Sequence, residues 1–111
     1  MNYISFETGN NVYKLRLNTR NIILLEKKLG GNPLLSFTKY LANEELPPME
    51  MMIDIFHASL LAYQSDMTIE KAYDIFDEWL DEGHMVAEFI GIIIEIYQHS
   101  GLIQKELAEK N

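Results

Sequence analysis

The chain begins with two short runs in which apolar and polar residues alternate, between residues 3 and 17. Ile4 and Phe6 are the apolar positions of the first run, and Tyr13 and Leu15 belong to the second. A period of two is typical of β-strands, and the connector at 8–11 contains glycine and asparagine, which tolerate positive φ. The pattern predicts a β-hairpin, and because an isolated hairpin is marginally stable in water, its apolar face is expected to rest on helices.

After residue 18 the apolar positions recur every three or four residues, which predicts helices. The predicted ends coincide with capping residues, glycines and prolines, the usual helix boundaries. The four predicted helices are one from a cap at Asn18 or Thr19 to the glycines at 30–31, a short one from the Asn-Pro pair at 32–33 to the polar connector 43–48, one over 48–63, and one from a cap at Thr68 or Asp66 to Gly83.

Residues 84–99 carry a more ambiguous pattern, because 89–97 are rich in isoleucine and have high β-propensity. We predict a helix here: the segment is long for a strand, and Glu88 and Glu95 are seven residues apart and share one helix face. Apolar residues then cover most of its circumference. Such a helix is either central to the core or covered by another chain.

The pattern as a whole predicts a mainly α fold, a bundle of about five helices with a small N-terminal β-hairpin packed on it. With 111 residues the chain has the size of one domain, predicted as a hairpin at 3–17, a helical body at 19–107 and a frayed tail at 108–111. Its most apolar stretch, 85–97, is shorter than the roughly 20 residues of a membrane span. With no targeting segment visible, a cytoplasmic protein is expected.

Charge is distributed unevenly along the chain. The net charge of −8 argues against a nucleic-acid binder, and it divides into +4 over residues 1–43 and −12 over 44–111. Opposite patches on one domain favour head-to-tail contact between copies, in a ring or a spiral, although the charges could equally serve only solubility. The residues predicted to mediate self-association are Lys14, Arg16, Arg20, Lys27, Lys28, Asp74, Asp77 and Asp81.

Candidate chemistry is sparse. The absence of cysteine excludes disulfides, zinc-thiolate sites, iron–sulfur clusters and a cysteine nucleophile. Asp54 and His57 are three apart on one helix face, yet no other residue is tied to them by spacing, so a polar helix rim is the simpler interpretation. The acidic residues of 74–82 lack the pattern of a calcium loop. We therefore expect no enzyme, no metal and no cofactor.

Three methionines within four positions, Met49, Met51 and Met52, cannot all occupy one helix face. Flexible thioethers suit surfaces that accept varied apolar partners, although ordinary core filling is the alternative for any single methionine. We assign part of the isoleucine-rich helix predicted at 84–99 to the same partner-binding surface. The residues predicted to bind a partner protein are Met49, Met51, Met52, Ile55, Phe56, Ile90, Ile92, Ile93 and Ile96.

The segment LRLNTRNIILLEKKLGGNPL, from Leu15 to Leu34, carries a family resemblance. It resembles the pattern L-R-L-(T/N)-T-R-x-I-x-x-L-E-K-K-L-G-(G)-N-P-L of the small tail assembly chaperones of long-tailed phages that infect Gram-positive bacteria, especially lactococcal types. The resemblance implies a non-catalytic protein that coats the hydrophobic, helical tape measure protein in the host cytoplasm before the tail tube polymerises. It also implies absence from the mature virion and, in some genes, a frameshifted longer form.

Two other classes of function remain open at this stage. The acidic segment would also suit a phage regulator or DNA mimic that occupies a basic site on another protein, with binding that salt abolishes. A minor virion structural or connector protein would instead be found in purified particles. A metal-dependent enzyme centred on His57 is a more distant alternative.

Overall fold

The computed structural model describes residues 2–103 and confirms the mainly α class, with five helices and one antiparallel two-stranded hairpin in that range. Residues 89–97 are helical. The predicted tail at 108–111, and the last four residues of the predicted body, lie outside the described residues. The elements are β1 (Ile4–Thr8), β2 (Asn11–Leu15), α1 (Thr19–Leu29), α2 (Pro33–Ala42), α3 (Met49–Leu60), α4 (Ile69–Asp81) and α5 (Val86–His99).

The hairpin pairs Ile4 with Leu15 and places Gly9, at φ 60°, in the turn. Ile4, Phe6 and Thr8 form the buried face of β1. The Phe6 ring lies 4.9 Å from Phe56 of α3, between ring centroids, and also contacts Trp79 and Phe89. The hairpin therefore rests on the helices, as its marginal stability in isolation requires.

Local capping fixes the ends of α1 and the start of α2. The Asn18 side chain accepts a hydrogen bond from the Asn21 amide, and Gly30 ends α1 in the left-handed conformation at φ 73°. Asn32 accepts from two amides of the first turn of α2, and Pro33 occupies its first position. Four positions of the segment 15–34 therefore have a direct structural role at helix ends.

Two predicted boundaries shift. α3 ends at Leu60 rather than near Tyr63, because the Gln64 side chain donates to the carbonyls of Leu60 and Lys14 and so turns the chain toward β2. α4 ends at Asp81, and Gly83 follows its cap at φ 101°.

The core is built around α3, which packs against α1, α4, α5 and β2. Eight of its 12 residues are buried. An aromatic cluster fills the space between α3, α4, α5 and β1, with neighbouring ring centroids 4.8–6.3 Å apart. Its members are Phe6, Phe56, Phe76, Trp79 and Phe89.

This packing corrects part of the predicted partner surface. α3 and α5 are apolar around much of their circumference because they are covered on several sides by the protein's own elements. Five of the nine predicted partner-binding residues are fully or almost fully buried in the core and are not available to another protein. These residues are Met52, Ile55, Phe56, Ile93 and Ile96.

Within residues 2–103, no helix combines the length and the apolar character that crossing a membrane would require.

Candidate protein-binding surfaces

His57 and Asp54 line the same groove between α1 and α3, but each contacts a different group. His57 Nε2 lies 2.9 Å from the carbonyl oxygen of Met67, and the Asp54 carboxylate forms an ion pair with Lys28 Nζ at 3.0 Å. Among the described residues, no group of three or more histidine or acidic side chains is arranged to hold a metal ion. Both residues therefore take part in contacts that hold α3 against neighbouring segments of the fold.

A groove of about 220 Å³ runs between α1 and α3. Leu24 and Leu61 are among its apolar lining residues, and the Lys28–Asp54 pair crosses it. Asp54 is only 5% exposed, whereas Lys28 reaches it from solvent and remains half exposed. The ion pair therefore links α1 to the central helix and neutralises a carboxylate that burial would otherwise penalise.

The outward face of α1 is both basic and apolar. Ile23 and Leu24 are 45% and 50% exposed, and Arg20 and Lys27 are exposed beside them. Only Asn21 and Leu25 of this helix are buried. We call Arg20, Ile23, Leu24, Lys27 and Lys28 the α1 face. The exposed Ile23 and Leu24 are unusual on this face, because a charged surface that only contacts solvent does not need large apolar side chains.

The outward face of α4 is acidic around an exposed aromatic ring. Tyr73 is 47% exposed, and the acidic residues around it are exposed as well. The opposite side of α4 packs into the core through Ile75, Phe76 and Trp79. We call Glu70, Tyr73, Asp74, Asp77 and Asp81 the α4 face.

The eight predicted self-association residues divide by what they contact. Lys14 Nζ lies 4.9 Å from the centre of the Tyr3 ring, Arg16 donates to the Asn2 carbonyl at 3.0 Å, and Lys28 pairs with Asp54. The other five are exposed and form no ion pair within residues 2–103. They are Arg20, Lys27, Asp74, Asp77 and Asp81.

Two acids next to the α4 face hold the hairpin in place. The Thr8 hydroxyl lies 3.2 Å from Glu78 Oε1 and 3.0 Å from Glu82 Oε1, and the Gly9 amide donates to Glu82 Oε2. A Cβ at Gly9 would lie 3.0 Å from the Glu78 carboxylate, so glycine also allows this close approach. These carboxylates therefore belong to the fold rather than to a free acidic patch.

The start of α5 carries a small polar cluster. The Glu88 carboxylate accepts from His84 Nδ1 at 3.0 Å and from the Met85 amide at 2.9 Å. The hydrogen bond from His84, and then that from the Met85 amide, lower the pKa of Glu88 below its ordinary value. The His84 ring stacks on Trp79 at 4.4 Å, which joins this cluster to the aromatic core.

Four of the predicted partner-binding residues remain accessible. Met49 is exposed at the start of α3, and Met51, Ile90 and Ile92 are partly exposed. Sequence reasoning missed several further exposed apolar side chains, because an apolar residue within or beside a helix pattern is expected to point inward. Besides Ile23, Leu24 and Tyr73 described above, they include Leu35 of α2 (63% exposed), Leu46 before α3 and Met85 before α5.

Comparison with known proteins gives one match. The model of a protein family described as a family of unknown function, DUF6096, matches residues 4–111. No curated protein matches. No solved structure matches either.

Proposed function

We propose that this chain, which belongs to the DUF6096 family, is a phage tail assembly chaperone that self-associates and coats the tape measure protein, its client. It acts without catalysis, in the host cytoplasm before the tail tube polymerises, and does not remain in the mature virion. Its coat keeps the hydrophobic helical client soluble. The resemblance of residues 15–34 to such chaperones suggests this role, and the surface of the domain supports it.

The observation that carries the proposal is that large apolar side chains stay exposed although the domain already has a dense core. Twenty apolar residues are buried around α3, including the aromatic cluster, so the chain does not need these others for folding. Exposed leucine and methionine are unfavourable in water and suit a surface that contacts another protein. The residues concerned here are Leu35, Leu46, Met49 and Met85.

The connection between α2 and α3 is the strongest candidate for the client surface. Leu46 and Met49 are exposed within four residues of each other, and Leu35 is exposed on α2. A shallow pocket of about 280 Å³ between these helices is lined by Tyr40 and Met51, among others. Flexible apolar side chains of this kind can adapt to many different segments of a long amphipathic helix.

Co-expression tests the proposal. The proposal expects a long helical protein to be encoded beside this chain's gene; that protein, tested as the client, should be insoluble alone and soluble with the wild-type chain. Leu35→Glu combined with Met49→Glu should lower the soluble client at least severalfold while the chaperone itself stays folded, because a charge at an apolar contact must be desolvated. Ser65→Glu, which adds a charge on an exposed loop, is the matched control. A client that is equally soluble with the double variant would contradict the proposed surface.

A second candidate function rests on the α4 face. Its four carboxylates form no ion pair within residues 2–103, as expected for a regulator or DNA mimic that occupies a basic site on another protein. Such binding would disappear at high salt, whereas apolar binding to a client would persist. The salt dependence of client binding therefore separates the two functions.

A further inference from the structure

We propose that the α1 face of one copy binds the α4 face of a second copy of this chain, so that copies join head to tail. This inference rests on the self-association within the proposed function and names the two surfaces that would produce it. The two faces share no residue with the connection between α2 and α3 that forms the proposed client surface.

The two faces follow the same helical spacing. Arg20, Ile23, Leu24, Lys27 and Lys28 lie within about 140° of the circumference of α1, at 3.6 residues per turn. Fifty positions later on the chain, the α4 face repeats the first four of these positions, ends at Asp81 instead, and occupies about 100° of its helix. Each face covers two or more turns, so the charges of one helix can meet those of another at several places.

The charges are opposite in sign and largely unsatisfied within one copy. Arg20 and Lys27 form no ion pair within the described range, and neither do Asp74 and Asp77. They are exposed, so their attraction acts mainly on encounter and orientation and is screened by salt. The like charges on each face also disfavour α1–α1 and α4–α4 contacts, so the pairing is directed.

Each face carries apolar side chains that charge alone does not explain. Ile23 and Leu24 lie on either side of Arg20 and Lys27 around α1, and Tyr73 lies at one edge of the acidic residues of α4. Protein interfaces combine apolar and charged contacts, and tyrosine is enriched there. Removing these three side chains from water supplies the affinity, and the surrounding charges supply the specificity.

Within one copy, the α1 face cannot contact the α4 face. α1 and α4 both pack against α3 through their buried sides, and both faces point to solvent. A pair formed through one α1 face and one α4 face leaves one face of each kind unoccupied at its ends. The contact is therefore heterologous and adds copies until a ring closes or a spiral continues.

Sedimentation of charge-reversed variants tests this contact. The wild type should associate at low salt, and Arg20→Glu/Lys27→Glu and Asp74→Lys/Asp77→Lys should each be monomeric. Mixing the two variants should restore association, because the intact α4 face of the first meets the intact α1 face of the second. Glu7→Lys/Asp66→Lys, at exposed positions outside both faces and outside the proposed client surface, is the control; it changes the net charge as much as Asp74→Lys/Asp77→Lys and should associate like the wild type. Circular dichroism checks that each variant is folded.

Three results would overturn the contact: a wild type that stays monomeric at low salt, reversed variants that associate unchanged, or variants that stay monomeric when mixed. If the wild type is monomeric and only the Arg20→Glu/Lys27→Glu change abolishes client binding, the α1 face is a client surface instead. A monomer that still keeps the client soluble contradicts this contact and the self-association, but not the solubilising role of the proposed function. An assembly that fails to keep it soluble contradicts the proposed function alone.

Discussion

Each of the two helices that follow the hairpin, α1 and α2, buries a smaller share of its residues than any of the other three, and the contrast is largest with α3. α1 buries two of its 11 residues and α2 two of its 10, whereas α3 buries eight of 12. We call α1 and α2 the outer pair, and β1, α3, α4 and α5 the inner region. Both are rich in apolar residues, but those of the inner region contact one another and several of the outer pair face water.

This difference teaches that apolar content alone does not identify a binding surface. The isoleucine-rich α5 and the methionine-containing α3 have the more apolar sequences, yet their apolar residues mostly pack in the core. The outer pair has fewer apolar residues and leaves more of them accessible. Stability should therefore depend on the inner region, and binding on the outer pair and the adjoining α2–α3 connection.

The largest expected effect tests this division of roles directly. Phe56→Ala should lower the free energy of unfolding by about 3–5 kcal/mol, because it opens a cavity among the aromatic rings. Leu35→Ala, on the outer pair, should change it by less than about 0.5 kcal/mol. Urea unfolding measures both. Similar losses for the two variants would contradict the division.

The ion pair between the outer pair and the inner region should have a smaller effect. Lys28→Met should destabilise the fold by about 1–3 kcal/mol, because it leaves the buried Asp54 carboxylate without its cation. Lys27→Met is the matched control, since Lys27 is exposed and makes no ion pair within residues 2–103. Thermal unfolding should show a lower midpoint for the first variant only, and equal midpoints would show that the pair contributes nothing.

Tyr97 lies where α5 meets the outer pair, beside Ile22 and Leu34. Its hydroxyl is buried and has no hydrogen-bond partner among the described residues, so Tyr97→Phe should stabilise the fold by about 1 kcal/mol. Burial also raises the pKa of Tyr97 above its ordinary value of 10.0.

In the unfolded chain Tyr97 ionises near its ordinary pKa of 10.0, whereas in the folded protein it stays neutral. The contribution of Tyr97 to the free energy of unfolding is therefore fully present below pH 10.0 and declines as the pH rises above it. The wild type should lose more stability than Tyr97→Phe in that alkaline range. Unfolding curves collected across it measure the difference, and parallel pH profiles would contradict the buried hydroxyl.

The smallest expected effect concerns the start of α5. The pKa of Glu88 is lowered in the folded state, so its contribution is present above the ordinary value of 4.5 and is lost as the pH falls below it. Glu88→Gln should flatten this acid dependence slightly. Glu95→Gln, an exposed position on the same helix, should leave it unchanged. An unaltered acid profile in both variants would show that the Glu88 cluster does not stabilise the helix.

The elements were predictable because their signals are local. Asn18, Gly30 and the Asn32–Pro33 pair act within one turn of the chain, and the structure uses them as the sequence indicates. The hairpin was equally predictable, since the alternation of apolar and polar residues and a glycine-containing connector define it without long-range contacts.

The surfaces were less predictable because exposure depends on packing between distant elements. Leu35 and Phe37 are both apolar residues of α2, yet only Phe37 is buried, against Tyr97 of α5. Met49 and Met52 both lie on α3, but Met49 is exposed and Met52 is buried, for the same reason. Charge was partly predictable: Arg20 and Lys27 are exposed as expected, but nothing in the sequence indicates that Lys28 reaches Asp54.

Amide hydrogen exchange of the wild-type chain, alone and in complex with its co-expressed client, tests most directly whether the exposed apolar residues of α2 and the α2–α3 connection are a binding surface. We expect exchange to slow in α2 and at the connection to α3 when the client is present, while the amides of α3 and α5, protected by the core, change little. Unchanged exchange throughout residues 33–49 in a complex that demonstrably contains the client would contradict the account.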